Sequence, residues 1–118
     1  MMTGKIWGTT EILLRTPMIE VHLLHVLPNA SCSLHHHKFK WNAFFCLSGQ
    51  LTIEVDKSDY PLTDKTVLDA LDFTTVKPGE DHRFITGEES AVALEIYYPE
   101  FLSEDIIRKT CGSIKESV

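Results

Sequence analysis

Four histidines in this chain have the spacing that a bound metal ion demands. His35, His36 and His37 are consecutive, and His82 follows 45 residues after His37. On an extended segment, residues two apart project from the same face. His35 and His37 therefore present two imidazoles together, while His36 points to the other side. Asn42 lies five residues beyond His37, near the start of the next apolar run, and can reach the same face across a short turn. His82 comes just after Lys77-Pro78-Gly79-Glu80-Asp81, whose Pro-Gly pair marks a tight turn able to bring its strand alongside the first. Neutral imidazoles suit a divalent transition metal (Zn, Ni, Fe, Co or Mn) and leave positions open for water or a small-molecule ligand. A bare His-x-His pair is a short motif, and a triple-His run also suits a polar surface. The surrounding residues must separate the two readings.

Glu95 is the candidate general acid or base. It alternates with Ala91, Ala93 and Tyr97, whereas the opposite parity carries Val92, Leu94 and Ile96. If the small and polar set faces the interior, Glu95 stands beside the metal; otherwise it lies on a solvated outer face. Alternation alone leaves both open. His22 and His25 have opposite parity on one strand, so only one can face a site. Arg83 is opposite in parity to His82, which points to an outer salt bridge. Trp41, Phe44 and Phe45 read as packing residues. Lys38 and Lys40 flank the histidines, either as attractors of an anionic ligand or as a solvated edge. Cys32, Cys46 and Cys111 form no Cys-x-x-Cys pair and read as buried structural thiols of a reducing compartment.

The elements that must position these groups are strands. Apolar runs at Glu11–Arg15, Ile19–Leu27, Ser31–Lys38, Asn42–Leu47, Gln50–Asp56, Thr66–Ala70, Phe73–Lys77, Asp81–Thr86 and Ser90–Tyr98 are divided by turn residues such as Pro28-Asn29, Ser48-Gly49 and Gly87-Glu88-Glu89. Short strands with close turns predict an all-β antiparallel sandwich or barrel. One segment departs from this pattern: Ser103 to Cys111 predicts a short C-terminal helix. Ser103 would be its N-cap, Glu104 and Asp105 its first turn, and Gly112 its stop. The length, 118 residues, predicts a single domain over 1–118. The formal charge of -6 argues against a nucleic-acid partner. No stretch approaches the roughly 20 apolar residues of a membrane span, and the first residues hold no secretion signal, which together predict a cytoplasmic protein. A barrel of this size gains from covering a sheet edge, so a homodimer is expected through Glu11–Arg15 and Ile19–Leu27.

The chain resembles the cupin superfamily, whose first motif reads G-x5-H-x-H-x3-4-E-x6-G. His35, His37 and Gly49 fit it, with Asn29 at the first Gly and Asn42 at the Glu. Asn tolerates a left-handed turn, so the first exchange is mild. The second motif, G-x5-P-x-G-x2-H-x3-N, is met by Gly79 and His82; Leu71, Lys77 and Thr86 depart from it. A narrower resemblance is to the cupin domain of type II mannose-6-phosphate isomerases. Lys5-Ile6-Trp7-Gly8 is similar to its K-P-W-G element, and Ser33 through Gly49 to its S-L-Q-x-H stretch. His82-Arg83, Leu94-Glu95-Ile96-Tyr97 and Phe101 through Arg108 are similar to its later segments.

The resemblance implies a cupin-type jelly-roll barrel with a metal held by His35, His37 and His82. Asn42 would be a fourth ligand or a hydrogen-bond partner to a bound water. It also implies a sugar or sugar-phosphate isomerase or epimerase with Glu95 moving a proton. Two departures bear on activity: Asn42 replaces an anionic ligand, and Lys40 stands where the isomerase pattern has Arg. A non-catalytic ligand-binding or sensory cupin and a three-His iron oxygenase are therefore the alternatives.

Overall fold

Period-two alternation of apolar residues becomes nine strands in the computed structural model, which describes residues 2–57, 60–99 and 106–115. These are β1 (Met2–Lys5), β2 (Gly8–Arg15), β3 (Glu20–Val26), β4 (Trp41–Gly49), β5 (Leu51–Asp56), β6 (Thr63–Leu68), β7 (Phe73–Val76), β8 (Asp81–Ile85) and β9 (Ala91–Tyr98). They form a six-stranded sheet in the order β1-β2-β3-β9-β4-β7 and a three-stranded sheet in the order β6-β5-β8. Every pairing between these strands is antiparallel. Between the sheets lies a core of Leu24, Val26, Phe44, Cys46, Leu51, Ile53, Leu68, Val76, Phe84, Ala91 and Ala93, each at most 3% exposed. The all-β architecture matches the expectation from sequence.

The segment between β3 and β4 carries three of the four clustered histidines and is not the continuous strand expected over Ser31–Lys38. It makes only two isolated bridges, Ser31 to Ile85 and His35 to His82. Yet its backbone follows β8 throughout. The Asn29 N–H donates to the Gly87 carbonyl at 2.7 Å, and the Thr86 N–H to the Ala30 carbonyl at 2.9 Å. The Cys32 N–H donates to the Phe84 carbonyl at 3.2 Å, and the Gly79 N–H to the His37 carbonyl at 2.7 Å. The Thr86 hydroxyl also accepts the Ala30 N–H at 3.0 Å, which gives this departure from the second motif a structural role. The segment thus extends the small sheet without regular pairing.

Two further expectations are corrected. No helix occurs among the described residues, and 106–111 are non-helical; the expected N-cap, Ser103, lies outside the described residues. Ile106 and Ile107 are 57% and 90% exposed, so the helix has no partner for its apolar side, and isolated helices this short are unstable in water. Cys111 is exposed rather than buried, whereas Cys46 is buried and Cys32 partly so. β1 went unanticipated, since Met-Thr-Gly-Lys is exposed throughout and shows no alternation.

Three motif positions explain themselves through the backbone. Asn29 takes a left-handed φ of 53°, and Leu71, at the position of the second motif's glycine, takes φ 74°. A non-glycine residue there costs about 1–2 kcal/mol. Gly49 has φ 73°, and a Cβ on it would lie 2.0 Å from the Ser90 carbonyl oxygen, so no other residue fits. Leu71→Gly should therefore stabilise the protein. The relieved strain exceeds the roughly 0.4–1 kcal/mol that glycine's unfolded-state freedom takes back, for a net gain of about 0.5–1 kcal/mol. Gly49→Ala should lose more than about 2 kcal/mol. Urea unfolding of the two variants checks both signs.

Candidate metal centre

The His35 and His82 backbones face each other in a reciprocal pair. The His35 N–H donates to the His82 carbonyl at 3.1 Å, and the His82 N–H to the His35 carbonyl at 2.8 Å. Residues directly opposite in an antiparallel pair send their side chains to the same face, and the two rings lie 4.7 Å apart. His37, two residues on, joins that face at 5.1 Å from the His35 ring and 5.6 Å from the His82 ring. His36 points away and bonds Asp81 through Nδ1 at 2.8 Å. One donor nitrogen from each of His35, His37 and His82 lies within 4.8 Å of the others. Ligands about 2.1 Å from a common ion sit roughly 3–4 Å apart, so small side-chain rotations close the set.

Backbone carbonyls fix which nitrogen is free. His35 Nδ1 lies 2.7 Å from the Ser33 carbonyl oxygen, and His82 Nδ1 lies 2.9 Å from the Glu80 carbonyl oxygen. A carbonyl only accepts, so Nδ1 carries the proton and Nε2 keeps its lone pair. His37 Nε2 is buried and has no hydrogen-bond partner. Burial, aided by the Lys40 charge, lowers the His37 pKa to about 4, and burial likewise lowers that of His82. Both rings are neutral near pH 7. A buried imidazole nitrogen with no partner costs about 1–3 kcal/mol, a penalty that a bound cation removes. The donor set fits a divalent transition metal.

Asn42 and Glu95 adjoin this cluster from β4 and β9. Asn42 is 1% exposed and turns its amide nitrogen inward, 3.2 Å from Glu95 Oε2 and 3.3 Å from His82 Nε2. Its oxygen is buried without a partner. Glu95 is 7% exposed, and with Ala91 and Ala93 it occupies the interior face of β9, which settles the parity that sequence left open. Tyr97 shares that face; burial and the nearby Glu95 raise its phenol pKa. Glu95, Tyr97, His35, His22, Thr10 and Trp7 line one cavity of about 400 Å³. Sequence reasoning left His22 undecided, and only its register against β9 places it there. Lys40 Nζ sits 4.0 Å over the Tyr97 ring. Arg83 forms the expected outer ion pair, 2.6 Å from Glu54.

Residues 22–97 match the family described as "Cupin domain". The chain belongs to the cupin family. Solved structures agree on the fold. Staphylococcus aureus CapF, a capsular polysaccharide assembling protein, superposes at TM-score 0.75 with 17% identity over 89% of this cupin and 32% of that chain. KdgF from Halomonas sp. superposes at 0.72 with 14% identity, over 85% of this chain and 88% of that one. Lactobacillus farciminis oxalate decarboxylase, in a formate complex, superposes at 0.74 with 16% identity, over 89% and 32%. This cupin thus spans about a third of the CapF chain. No curated protein matches its sequence. Among the described residues no helix is long and apolar enough to cross a membrane.

The lowered pKa values of His37 and His82 make stability depend on pH. Between the ordinary value of 6.5 and about 4, the unfolded chain binds protons that folded His37 refuses. Stability of metal-free protein should therefore fall as pH drops through that window. His37→Gln should flatten the decline, as measured by urea midpoints at pH 7, 6, 5 and 4; parallel curves for the two proteins would count against the assignment.

Proposed function

We propose that this cupin holds a divalent transition metal through His35, His37 and His82 and moves a proton on carbon beside the carbonyl of a sugar or sugar phosphate, as an isomerase or epimerase does. The observation that carries this reading is the buried Glu95 carboxylate on the wall of the cavity that His35 also lines. Asn42 donates to that carboxylate and orients it. The resemblance of Lys5 through Gly8 and of Leu94 through Tyr97 to type II mannose-6-phosphate isomerases supports the same chemistry. A bound divalent ion would supply Lewis acidity for a carbonyl oxygen. Glu95 then takes the proton from the adjacent carbon, Trp7 and Tyr97 shield that carbon from bulk water, and Asn42 keeps the carboxylate aimed at the cavity. A cavity of about 400 Å³ has room for one monosaccharide.

Asn42 also favours a second reading, a ligand-binding cupin without turnover. Three neutral imidazoles lack the negative charge that a carboxylate ligand would add, so the metal is held less tightly. The two readings share the site and differ in whether Glu95 acts.

Untagged protein loaded with Zn, Ni, Fe, Co or Mn should retain about one equivalent by elemental analysis, and His82→Ala should lose most of it. With metal bound, the protein should exchange the α-proton of a sugar for deuterium in D₂O. Glu95→Gln should slow that exchange by about 10²–10⁴-fold at unchanged metal content. Metal retention with no exchange into any sugar would favour the binding reading. β2 and β3 are interior strands of the large sheet and not the edge expected from sequence; we propose further that the same protein sediments as a homodimer through the face of Glu11–Arg15 and Ile19–Leu27, where Leu13 and Leu14 are 52% and 49% exposed.

A further inference from the structure

His22 stands directly opposite Glu95 in the β3–β9 register, and both side chains line the same cavity. Its ring is held at both nitrogens. Nε2 lies 2.6 Å from Glu20 Oε1, and Nδ1 lies 3.2 Å from the Thr10 hydroxyl. Glu20 is clamped in turn by Arg15, through Nε and Nη2 at 3.2 Å each. The Arg15 and His22 hydrogen bonds hold the Glu20 pKa at about 2, so this carboxylate only accepts. The His22 proton therefore sits on Nε2, and the Nδ1 lone pair accepts from Thr10. The result is a chain from a fixed carboxylate through an imidazole to a hydroxyl on the cavity wall.

We propose that Glu20–His22–Thr10 is a second proton-handling relay in this site, serving oxygen where Glu95 serves carbon. The proposal rests on the reading of Glu95 as the carbon base. It narrows the reaction to 1,2-isomerisation of an α-hydroxy carbonyl compound, an aldose or ketose. Directly opposed residues of an antiparallel pair have Cβ atoms about 4.5–5.5 Å apart. Glu95 and Thr10–His22 thus approach a substrate from one side and reach adjacent atoms. Epimerisation by two groups needs them on opposite faces of one carbon, which neighbours on one sheet do not provide.

The protons balance. Glu95 takes the proton from C2; the C–H pair becomes the C1–C2 double bond, and the carbonyl π pair moves to O1. Thr10 Oγ1 accepts the proton of the C2 hydroxyl as its own passes to His22 Nδ1, and Glu20 stabilises the imidazolium. The O–H pair becomes the new carbonyl at C2 as protonated Glu95 delivers its proton to C1. Running backwards, the Thr10–His22 chain hands its proton to O1. Both groups end in their starting states.

The test separates carbon from oxygen. Metal-loaded wild type and variants are incubated in D₂O with aldohexoses, ketohexoses and their 6-phosphates, and NMR follows deuterium at C2 alongside ketose–aldose conversion. His22→Gln and Thr10→Val should each slow conversion about 10²-fold or more while C2 exchange persists, so the ratio of exchange to conversion rises. Thr10→Ser, which keeps the hydroxyl, should restore conversion. Glu95→Gln should slow both together, by about 10²–10⁴-fold. Equal loss of exchange and conversion in His22→Gln, with metal content and fold intact, would make His22 a structural residue and overturn the relay. So would wild-type conversion unaffected by Thr10→Val. Absence of wild-type exchange with metal bound would instead overturn the Glu95 reading, and the relay with it. Without any substrate, the imidazole ¹⁵N spectrum should show the His22 proton on Nε2; a proton on Nδ1 contradicts the relay.

Discussion

The reciprocal backbone pair between His35 and His82 is the constraint from which the site follows. Among the backbone hydrogen bonds that tie the irregular 14-residue connection, Leu27 to Lys40, along β8 and its flanks, this reciprocal pair is the one whose pairing rule sets two imidazoles on one face. The Ser33 and Glu80 carbonyls, each two residues before its histidine, then hold the protons on Nδ1. Local chain geometry thereby selects the tautomers. The Gly79 N–H, bonded to the His37 carbonyl at 2.7 Å, holds the third histidine against the turn that leads into β8.

Asn42 stands where the cupin motif has a carboxylate, and the buried carboxyl group it touches is Glu95 on the adjoining strand β9. The Asn42 amide nitrogen lies 3.2 Å from Glu95 Oε2 and 3.3 Å from His82 Nε2, so one amide links the carboxyl group on β9 to the histidine cluster. A carboxylate bound to a cation is a poor base, because its lone pairs are engaged. One held by a neutral amide beside the metal keeps them for a proton. On the proposed reading, the position that weakens metal affinity is also the one that keeps Glu95 in place. Tyr97, packed on His37 at 5.2 Å and on His22 at 5.4 Å, couples the metal side of the cavity to the relay side.

The strands were legible in the sequence where apolar and polar residues alternate, as in Leu51–Asp56 of β5, with Leu51, Ile53 and Val55 in the core and Thr52, Glu54 and Asp56 on the opposite face. Parity also put His35 and His37 together and His36 away. It failed for β9, which carries its bulkier apolar residues, Val92, Leu94 and Ile96, on the outer face and keeps Ala91, Ala93 and Glu95 inside. An inverted pattern of that kind cannot be oriented without its neighbours. His22 was indistinct for the same reason, because its meaning comes from pairing with a strand some seventy residues later. The expected helix failed because its residues have helical spacing but no surface to pack against. Spacing placed Asn42 near the histidines but left the direction of its amide open, since its nitrogen faces Glu95, which no motif links to it.

The most direct measurement is a long-range ¹H–¹⁵N spectrum of the histidine side chains of metal-free protein at pH 7.5, repeated after adding one equivalent of Zn²⁺. His35 and His82 should carry a proton on Nδ1, and the shift on adding the metal should be confined to Nε2 of His35, His37 and His82. Protons on Nε2 of His35 or His82, or three resonances unmoved by the metal, would contradict this arrangement.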